Sequence, residues 1–116
     1  MIPYGRQQIS DQDIAAVVEV LRSDLLTQGQ SVPHFERAIT DYCGASHAIA
    51  VNSATSALHI ACLVLELGPG DCLWTSPITF VASANCALYC NAQVDFVDID
   101  PRTYNISVER LAAKLE

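Results

Sequence analysis

The first third of the chain carries apolar residues at the spacing of an amphipathic helix. One stripe of the predicted helix consists of Ile14, Val17, Val18 and Leu21. Ser10 precedes this stripe, and acidic residues directly after Ser10 lie in the first turn, a pattern typical of a helix N-terminus. Residues 25–30 break the spacing and predict a loop. A second helix is predicted from about Pro33, a residue favoured in a first helical turn, to Tyr42, ending before Gly44.

From residue 47 onward, short apolar runs alternate with helical stretches. The runs at 47–51, 72–75 and 93–97 predict three buried strands. The other stretches predict a helix reaching about Leu67, a helix over about 80–90 and a helix beginning at Ser107. Strands and helices that alternate in this way form βαβ units. The sequence therefore predicts the α/β class, with a parallel sheet, right-handed crossovers and flanking helices.

Three strands make a small sheet for a complete domain, because a parallel sheet needs cover on both faces. The first 45 residues have the pattern of an arm that docks on another surface. We therefore expect an N-terminal arm with helices at 1–45 and the start of an α/β domain at 46–116. We also expect this domain to be incomplete and to continue beyond residue 116.

Composition and charge narrow the class of protein. Of the 116 residues, 51% are hydrophobic and 16% are charged, which fits a packed interior and excludes disorder. The formal net charge of −7, with scattered basic residues, argues against a nucleic-acid partner. The apolar runs are too short to cross a membrane. With no secretory signal before Pro3, the sequence predicts a soluble cytoplasmic chain without a membrane partner.

The five cysteines are an odd number, and no two of them form a Cys-x-x-Cys pair. Cys86 and Cys90 are four residues apart on a predicted helix, a spacing that would also suit two ligands of a metal ion. We interpret the cysteines as small apolar residues of a reduced interior and expect no metal.

The candidate chemistry lies where the predicted strands end. Small hydroxylated residues at 52–56 follow the first strand and begin a helix, whose free N–H groups and positive dipole end suit a phosphate. The same residues are equally typical of an ordinary helix cap. The second strand exit leads to Phe80, either a core residue or a flat face for a ligand ring. Because ligands of parallel sheets bind beyond the strand exits, these residues favour a phosphorylated ligand with a flat ring.

The residues that carry this pattern also resemble a known family, the DegT/DnrJ/EryC1/StrS sugar aminotransferases that use pyridoxal 5'-phosphate (PLP). The matching segments are 2–4, 25–29, 35–36, 50–58, 75–85 and 97–100. The resemblance implies the fold-type-I PLP-dependent transferase fold, with residues 46–116 as the N-terminal part of its large, PLP-binding domain. Within the family, the motifs after the first two strands are most similar to members that act in pseudaminic acid synthesis.

The resemblance implies roles for individual residues. Ala54 and Thr55 would bind the PLP phosphate through their N–H groups, Thr55 also through its hydroxyl, and Phe80 would stack on the pyridine ring. The substrate side would be lined by Tyr4, Asp24, Leu25, Leu26, Thr27 and, where cofactor and substrate meet, Ala54. No catalytic residue is expected in this chain. In the family the lysine that forms the Schiff base lies beyond the position of Glu116, and Lys114 lacks its surroundings.

The activity implied for the whole protein moves an amino group from glutamate to C4 of a UDP-linked 4-keto-6-deoxy-N-acetyl hexose. The resemblance also implies a homodimer with active sites between subunits, and an inactive fragment. Two alternatives stay open: an aminotransferase for a different keto sugar, and a non-catalytic α/β module for another phosphorylated ligand. A lysine after a Ser-rich strand end further along the parent gene would favour the enzyme over the module.

Overall fold

The computed structural model describes residues 5–116, and these residues form five α-helices and two β-strands. In chain order the elements are α1 (Asp11–Leu21), α2 (Ser31–Cys43), α3 (Ala54–Val64), β1 (Cys72–Thr75), α4 (Ala82–Tyr89), β2 (Gln93–Phe96) and α5 (Val108–Leu115). The chain divides into two compact units, Met1–Ala50 and Val51–Glu116. None of the helices in the described part of the chain is long and apolar enough to span a membrane.

Local residues fix the ends of the two helices in the first unit. The Ser10 hydroxyl accepts the Asp13 N–H at 3.2 Å, and the Asp13 carboxylate accepts the Ser10 N–H at 2.8 Å, so both halves of a capping box are present. The Asp13 carboxylate also accepts the Ser10 hydroxyl at 2.8 Å, and the bonds that it accepts, the one from the Ser10 backbone first, lower the pKa of Asp13. α2 begins at Ser31, two residues before the predicted Pro33. It ends at Gly44, whose φ of 66° lies in the left-handed region that favours glycine.

The strand predicted at 47–51 is wrong, because this segment has no strand structure. A strand exists only where a neighbouring strand pairs with its backbone N–H and C=O groups. Within residues 5–116 the sheet pairs β1 with β2 alone. The Ala50 N–H instead donates to the carboxylate of Glu36 on α2 at 2.8 Å. The Glu36 carboxylate thus satisfies one backbone N–H of this segment.

The second unit contains a parallel two-stranded sheet. Its register runs from Cys72 opposite Gln93 to Thr75 opposite Phe96, as predicted for a βαβ unit. α4 connects the two strands and packs on both of them. The strand residues are half-buried or exposed rather than buried as predicted, because α4 covers only one face of the sheet. Buried Val97 follows β2, and its N–H donates to the Thr75 carbonyl at 3.0 Å.

α3 and α4 end with the same hydrogen-bonded motif. Glu66 after α3 and Asn91 after α4 both have a φ of 58°. In each case the residue that follows the left-handed one donates its N–H to a carbonyl five residues earlier, which defines a Schellman motif. These bonds join Leu67 to Cys62 and Ala92 to Ala87, each at 3.0 Å. α3 therefore ends at Val64 and not near residue 67 as predicted, because the chain reverses at Glu66.

Three thiols form the centre of the core of the second unit. The cluster consists of Cys62, Cys86 and Cys90, with Leu67 and Leu73 packed against it. Burial and the two neighbouring thiols raise the pKa of Cys62 to about 11. The interpretation of all five cysteines as interior residues is wrong for Cys43 and Cys72, which are exposed at the end of α2 and the start of β1. Across residues 5–116, no group of three or more His, Cys, Asp or Glu is arranged to hold a metal ion.

Candidate functional site

The turn at 52–53 leads directly into α3. Ser53 is the N-cap, and its hydroxyl accepts the Ser56 N–H at 3.2 Å. The Ser53 carbonyl accepts the Ala57 N–H at 3.1 Å and starts the helical ladder. The helix cap, one of the two alternatives that the sequence allowed, is therefore present. It takes up the N–H of the third residue of α3.

The cap leaves the first two amides of α3 free. Among residues 5–116, the N–H groups of Ala54 and Thr55 make no hydrogen bond, and neither does the Thr55 hydroxyl. α3 is described in full, and its first turn contains no acidic side chain, so the positive end of the helix dipole is not neutralised locally. Three adjacent donors at this position fit a phosphate dianion such as that of PLP.

Phe80 lies near the end of the loop that follows β1, two residues before α4. Its side chain is 74% exposed, so it does not pack in the core of this unit. The Phe80 carbonyl accepts the Ser83 N–H at 3.1 Å, which begins the turn into α4. α4 itself starts at Ala82, two residues later than predicted. An exposed ring on a hydrogen-bonded backbone is suited to stacking on a flat ligand.

The turn at 52–53 and Phe80 each precede one helix of the packed pair α3 and α4. Cys62, near the C-terminus of α3, packs against Cys86 in the middle of α4 and Cys90 at its C-cap. The free donors begin α3 and the exposed ring follows β1. Ligands of α/β sheets bind beyond strand ends such as that of β1.

Residues 98–100, which follow β2 and were the third predicted strand exit, contain two carboxylates in ion pairs. The Asp98 carboxylate lies 2.9 Å from the guanidinium of Arg110, and that of Asp100 lies 3.1 Å from Arg102. The Arg102 side chain first, and then its backbone N–H, hold the pKa of Asp100 below its usual value. Asp100 therefore pairs within the loop between β2 and α5, and Asp98 connects this loop to α5.

Lys114 is engaged by the sheet. Its ammonium donates to the Phe96 carbonyl at 3.0 Å, pairs with the Asp95 carboxylate and lies 5.3 Å from the centre of the Trp74 ring. The hydrogen bond from Lys114 is the main cause that lowers the pKa of Asp95. An amine with three partners on the sheet connects α5 to β2, which gives Lys114 a structural role.

The first unit contains a cavity of about 570 Å³ between α1, the loop after it and the start of α2. Of the residues predicted on the substrate side, Asp24 and Leu25 line this cavity. Leu26 and Thr27 are exposed in the same loop but are not part of the lining. Tyr4 lies outside the described residues. Of the predicted site, the structure describes residues 24–27 in one unit, and Ala54, Thr55 and Phe80 in the other.

Five polar residues of this cavity are missing from the predicted site: Glu19, Ser23, Gln30, Ser31 and His34. Helical spacing contains a signal for Glu19, because it follows the lining residue Ala16 by three positions on α1. Gly29 shapes the loop: a Cβ atom there would lie 2.5 Å from the Leu25 carbonyl oxygen, so no other residue permits this approach. The pairing of Leu25 with Gly29 explains why the predicted loop needs its glycine.

Comparison with known sequences gives one family match over nearly the whole chain. The DegT/DnrJ/EryC1/StrS aminotransferase family matches residues 7–116. The UDP-4-amino-4,6-dideoxy-N-acetyl-beta-L-altrosamine transaminase of Campylobacter jejuni is 44% identical over 115 residues, which are 99% of this chain and 30% of the relative. The GDP-perosamine synthase of Caulobacter vibrioides is 46% identical over 85 residues, 73% of this chain and 23% of the relative. The chain thus spans less than a third of either relative.

Solved structures agree with the sequence match. A protein of Streptococcus pneumoniae, described as a sugar aminotransferase in its PLP form, superposes with a TM-score of 0.89 at 32% identity. The superposition covers 97% of this chain and 29% of that one. The α/β fold expected from the sequence, an N-terminal part of the PLP-dependent aminotransferase fold, is confirmed by this likeness.

Proposed function

The chain belongs to the DegT/DnrJ/EryC1/StrS aminotransferase family, and we propose that it is the N-terminal portion of a PLP-dependent sugar aminotransferase. In this proposal residues 1–45 are an arm with helices, and residues 46–116 begin the PLP-binding large domain. The observation that carries the proposal is the set of three free donors on Ala54 and Thr55 at the start of α3. The PLP form of the pneumococcal structure supports the choice of cofactor.

The residues of this chain hold the cofactor in the proposal. Ala54 and Thr55 bind its phosphate with their N–H groups, Thr55 adds its hydroxyl, and the Phe80 ring stacks on the pyridine. PLP, when bound, supplies an electron sink for moving an amino group. The lysine that this chemistry requires is not Lys114, because the Lys114 ammonium is engaged by Asp95 and the Phe96 carbonyl.

The proposed substrates are glutamate as amino donor and a UDP-linked 4-keto-6-deoxy-N-acetyl hexose as acceptor, as in pseudaminic acid synthesis. The Campylobacter relative supports this choice through its name and its 44% identity. Tyr4 and the residues Asp24, Leu25, Leu26 and Thr27, with Ala54, are proposed to contact the sugar nucleotide. The Caulobacter relative favours a second candidate, a different keto sugar carried by GDP.

An activity measurement on the full-length protein tests the reaction and the sugar together. With PLP and glutamate present, 2-oxoglutarate should form when a UDP-linked 4-keto-6-deoxy sugar is added. Faster formation with a GDP-linked 4-keto sugar would transfer the assignment to the second candidate. If neither sugar supports formation above a free-PLP control, the proposed reaction is wrong.

A cofactor measurement tests the site. We expect Phe80→Ala to lose PLP faster than the parent during dialysis of the full-length protein, while Phe80→Tyr, which keeps a ring, retains it. Tyr42→Ala is a matched control, because Tyr42 is a 91% exposed aromatic residue on α2. Equal retention by Phe80→Ala and the parent would remove Phe80 from the site.

The full-length protein is also proposed to act as a homodimer in the cytoplasm. The exposed apolar side chains at the end of α3, Leu63 and Val64, and Leu65 directly after it are consistent with a surface that other parts of an assembly cover. Light scattering during turnover measures the assembly. An active monomer would contradict the dimer.

A further inference from the structure

Three side chains at the start of α3 form a closed hydrogen-bonded group. The carboxamide oxygen of Asn52 accepts the Ser56 hydroxyl at 2.7 Å and lies 3.4 Å from the Ser53 hydroxyl. The two serine hydroxyls are 3.1 Å apart. The Ser53 oxygen also accepts the Ser56 N–H at 3.2 Å. Each serine is therefore bonded both to the other and to Asn52.

The hydroxyl protons of this group are directed toward its own oxygen atoms. The Ser56 hydroxyl donates to Asn52, because that contact is the shortest. The Ser53 hydroxyl then donates to Asn52 or Ser56, and its oxygen stays free to accept the Ser56 N–H. The Asn52 oxygen is the final acceptor, so both hydroxyl protons and the third amide of α3 are directed into the group.

The donors that remain for an anion belong to the two residues between Ser53 and Ser56. An anion at this helix end would otherwise compete with Ser53 for the Ser56 amide, since an anionic acceptor bonds an N–H more strongly than a hydroxyl does. Such competition would remove the cap and loosen the first turn. The hydrogen-bonded group keeps the Ser56 N–H on the Ser53 cap and leaves the N–H groups of Ala54 and Thr55 for the anion.

We propose that Asn52 and Ser56 are positioning residues that hold the Ser53 cap in place and so direct a bound phosphate onto Ala54 and Thr55. This inference rests on the proposed function, because it concerns the phosphate of PLP. Neither residue touches the phosphate itself. Their effect should therefore appear in the recognition of the phosphate and not in that of the pyridine ring.

The experiment compares two ligands on the full-length apoprotein: PLP, and pyridoxal, which has the ring but no phosphate. Binding is followed by the absorbance change on titration. Ser56→Ala should weaken PLP by about threefold to tenfold, the equivalent of one net hydrogen bond, and leave pyridoxal unchanged. Alanine is a good helix former, so α3 is not weakened by its propensity. Ser56→Thr, which restores a hydroxyl, should recover PLP binding.

Two further variants separate the outcomes. Asn52→Ala removes the final acceptor and should reproduce the effect of Ser56→Ala. Ser107→Ala is the matched control, because Ser107 caps α5 by accepting the Arg110 N–H at 3.3 Å and lies outside the group. It should bind both ligands as the parent does.

An unchanged preference for PLP over pyridoxal in Ser56→Ala and Asn52→Ala would overturn the inference, and so would an equal loss of both ligands. Thr55→Val distinguishes this failure from a failure of the proposed function. If Thr55→Val loses PLP while the other variants keep it, the site stands and only the positioning role is wrong. If Thr55→Val keeps PLP as well, the phosphate site itself is wrong.

Discussion

Replacing Thr55 by Val removes one donor from the proposed phosphate site and changes little else. Valine has the shape of threonine and a similar helix propensity, so α3 should keep its stability. The Thr55 hydroxyl has no partner among residues 5–116, so its loss breaks no internal hydrogen bond. A hydrogen bond to a charged group contributes about 1.5–3 kcal/mol. PLP affinity should therefore fall about 10- to 150-fold.

The measurement is a titration of the full-length apoprotein with PLP, compared between parent and variant. The two backbone N–H groups stay in place, so binding should weaken without disappearing. Thr40→Val is a matched control, because the Thr40 hydroxyl donates to the Arg37 carbonyl at 2.8 Å within α2 and has no predicted part in the site. A PLP affinity for Thr55→Val equal to that of Thr40→Val would refute the assignment of Thr55.

Three other predictions concern the 116-residue chain. Given PLP, glutamate and a UDP-4-keto sugar, it should form no 2-oxoglutarate above a free-PLP control, because Lys114 is held by the sheet. Glu66→Gly should raise the free energy of unfolding by about 0.5–1 kcal/mol, since Glu66 is left-handed at a φ of 58°. The gain should appear as a higher urea midpoint, and an unchanged midpoint would contradict this. Burial raises the pKa of Cys62 to about 11, so at a pH below this value iodoacetamide should modify the exposed Cys43 and Cys72 first. Mass spectrometry measures the rates, and equal rates for all five cysteines would contradict the described core.

The ends of several helices could be predicted because the residues that set them are local. Ser10 and Ser107 cap α1 and α5 where the sequence places them, and Gly44 ends α2. A cap bond spans three residues, so short patterns contain it. The end of α3 was missed because Glu66, a residue that rarely adopts a left-handed conformation, occupies the position usually held by glycine. Packing of Leu67 on the thiol cluster accompanies this reversal.

In the candidate site, too, local sequence predicts some features and misses others. The small residues at 52–56 indicate an N-terminal anion site from spacing alone, but spacing does not separate a cap from a phosphate site. The structure shows that Ser53 and Ser56 form the cap while the donors of Ala54 and Thr55 stay free. The cavity beside Asp24 could not be predicted in full, because its walls form only when two successive helices and the loop between them are placed around it.

By itself, the sequence determined the α/β class, the order of the helices and the two paired strands, because hydrophobic period and turn residues act over a few positions. The tertiary structure decided whether each element has a partner. Residues 47–51 have the composition of a strand, yet in the described chain they form none, and the Ala50 N–H donates to the Glu36 carboxylate. Lys114 likewise is an ordinary helix residue in sequence, and only the sheet beneath it supplies Asp95 and the Phe96 carbonyl. Pairing is a property of residues far apart in the chain, so no local pattern contains it.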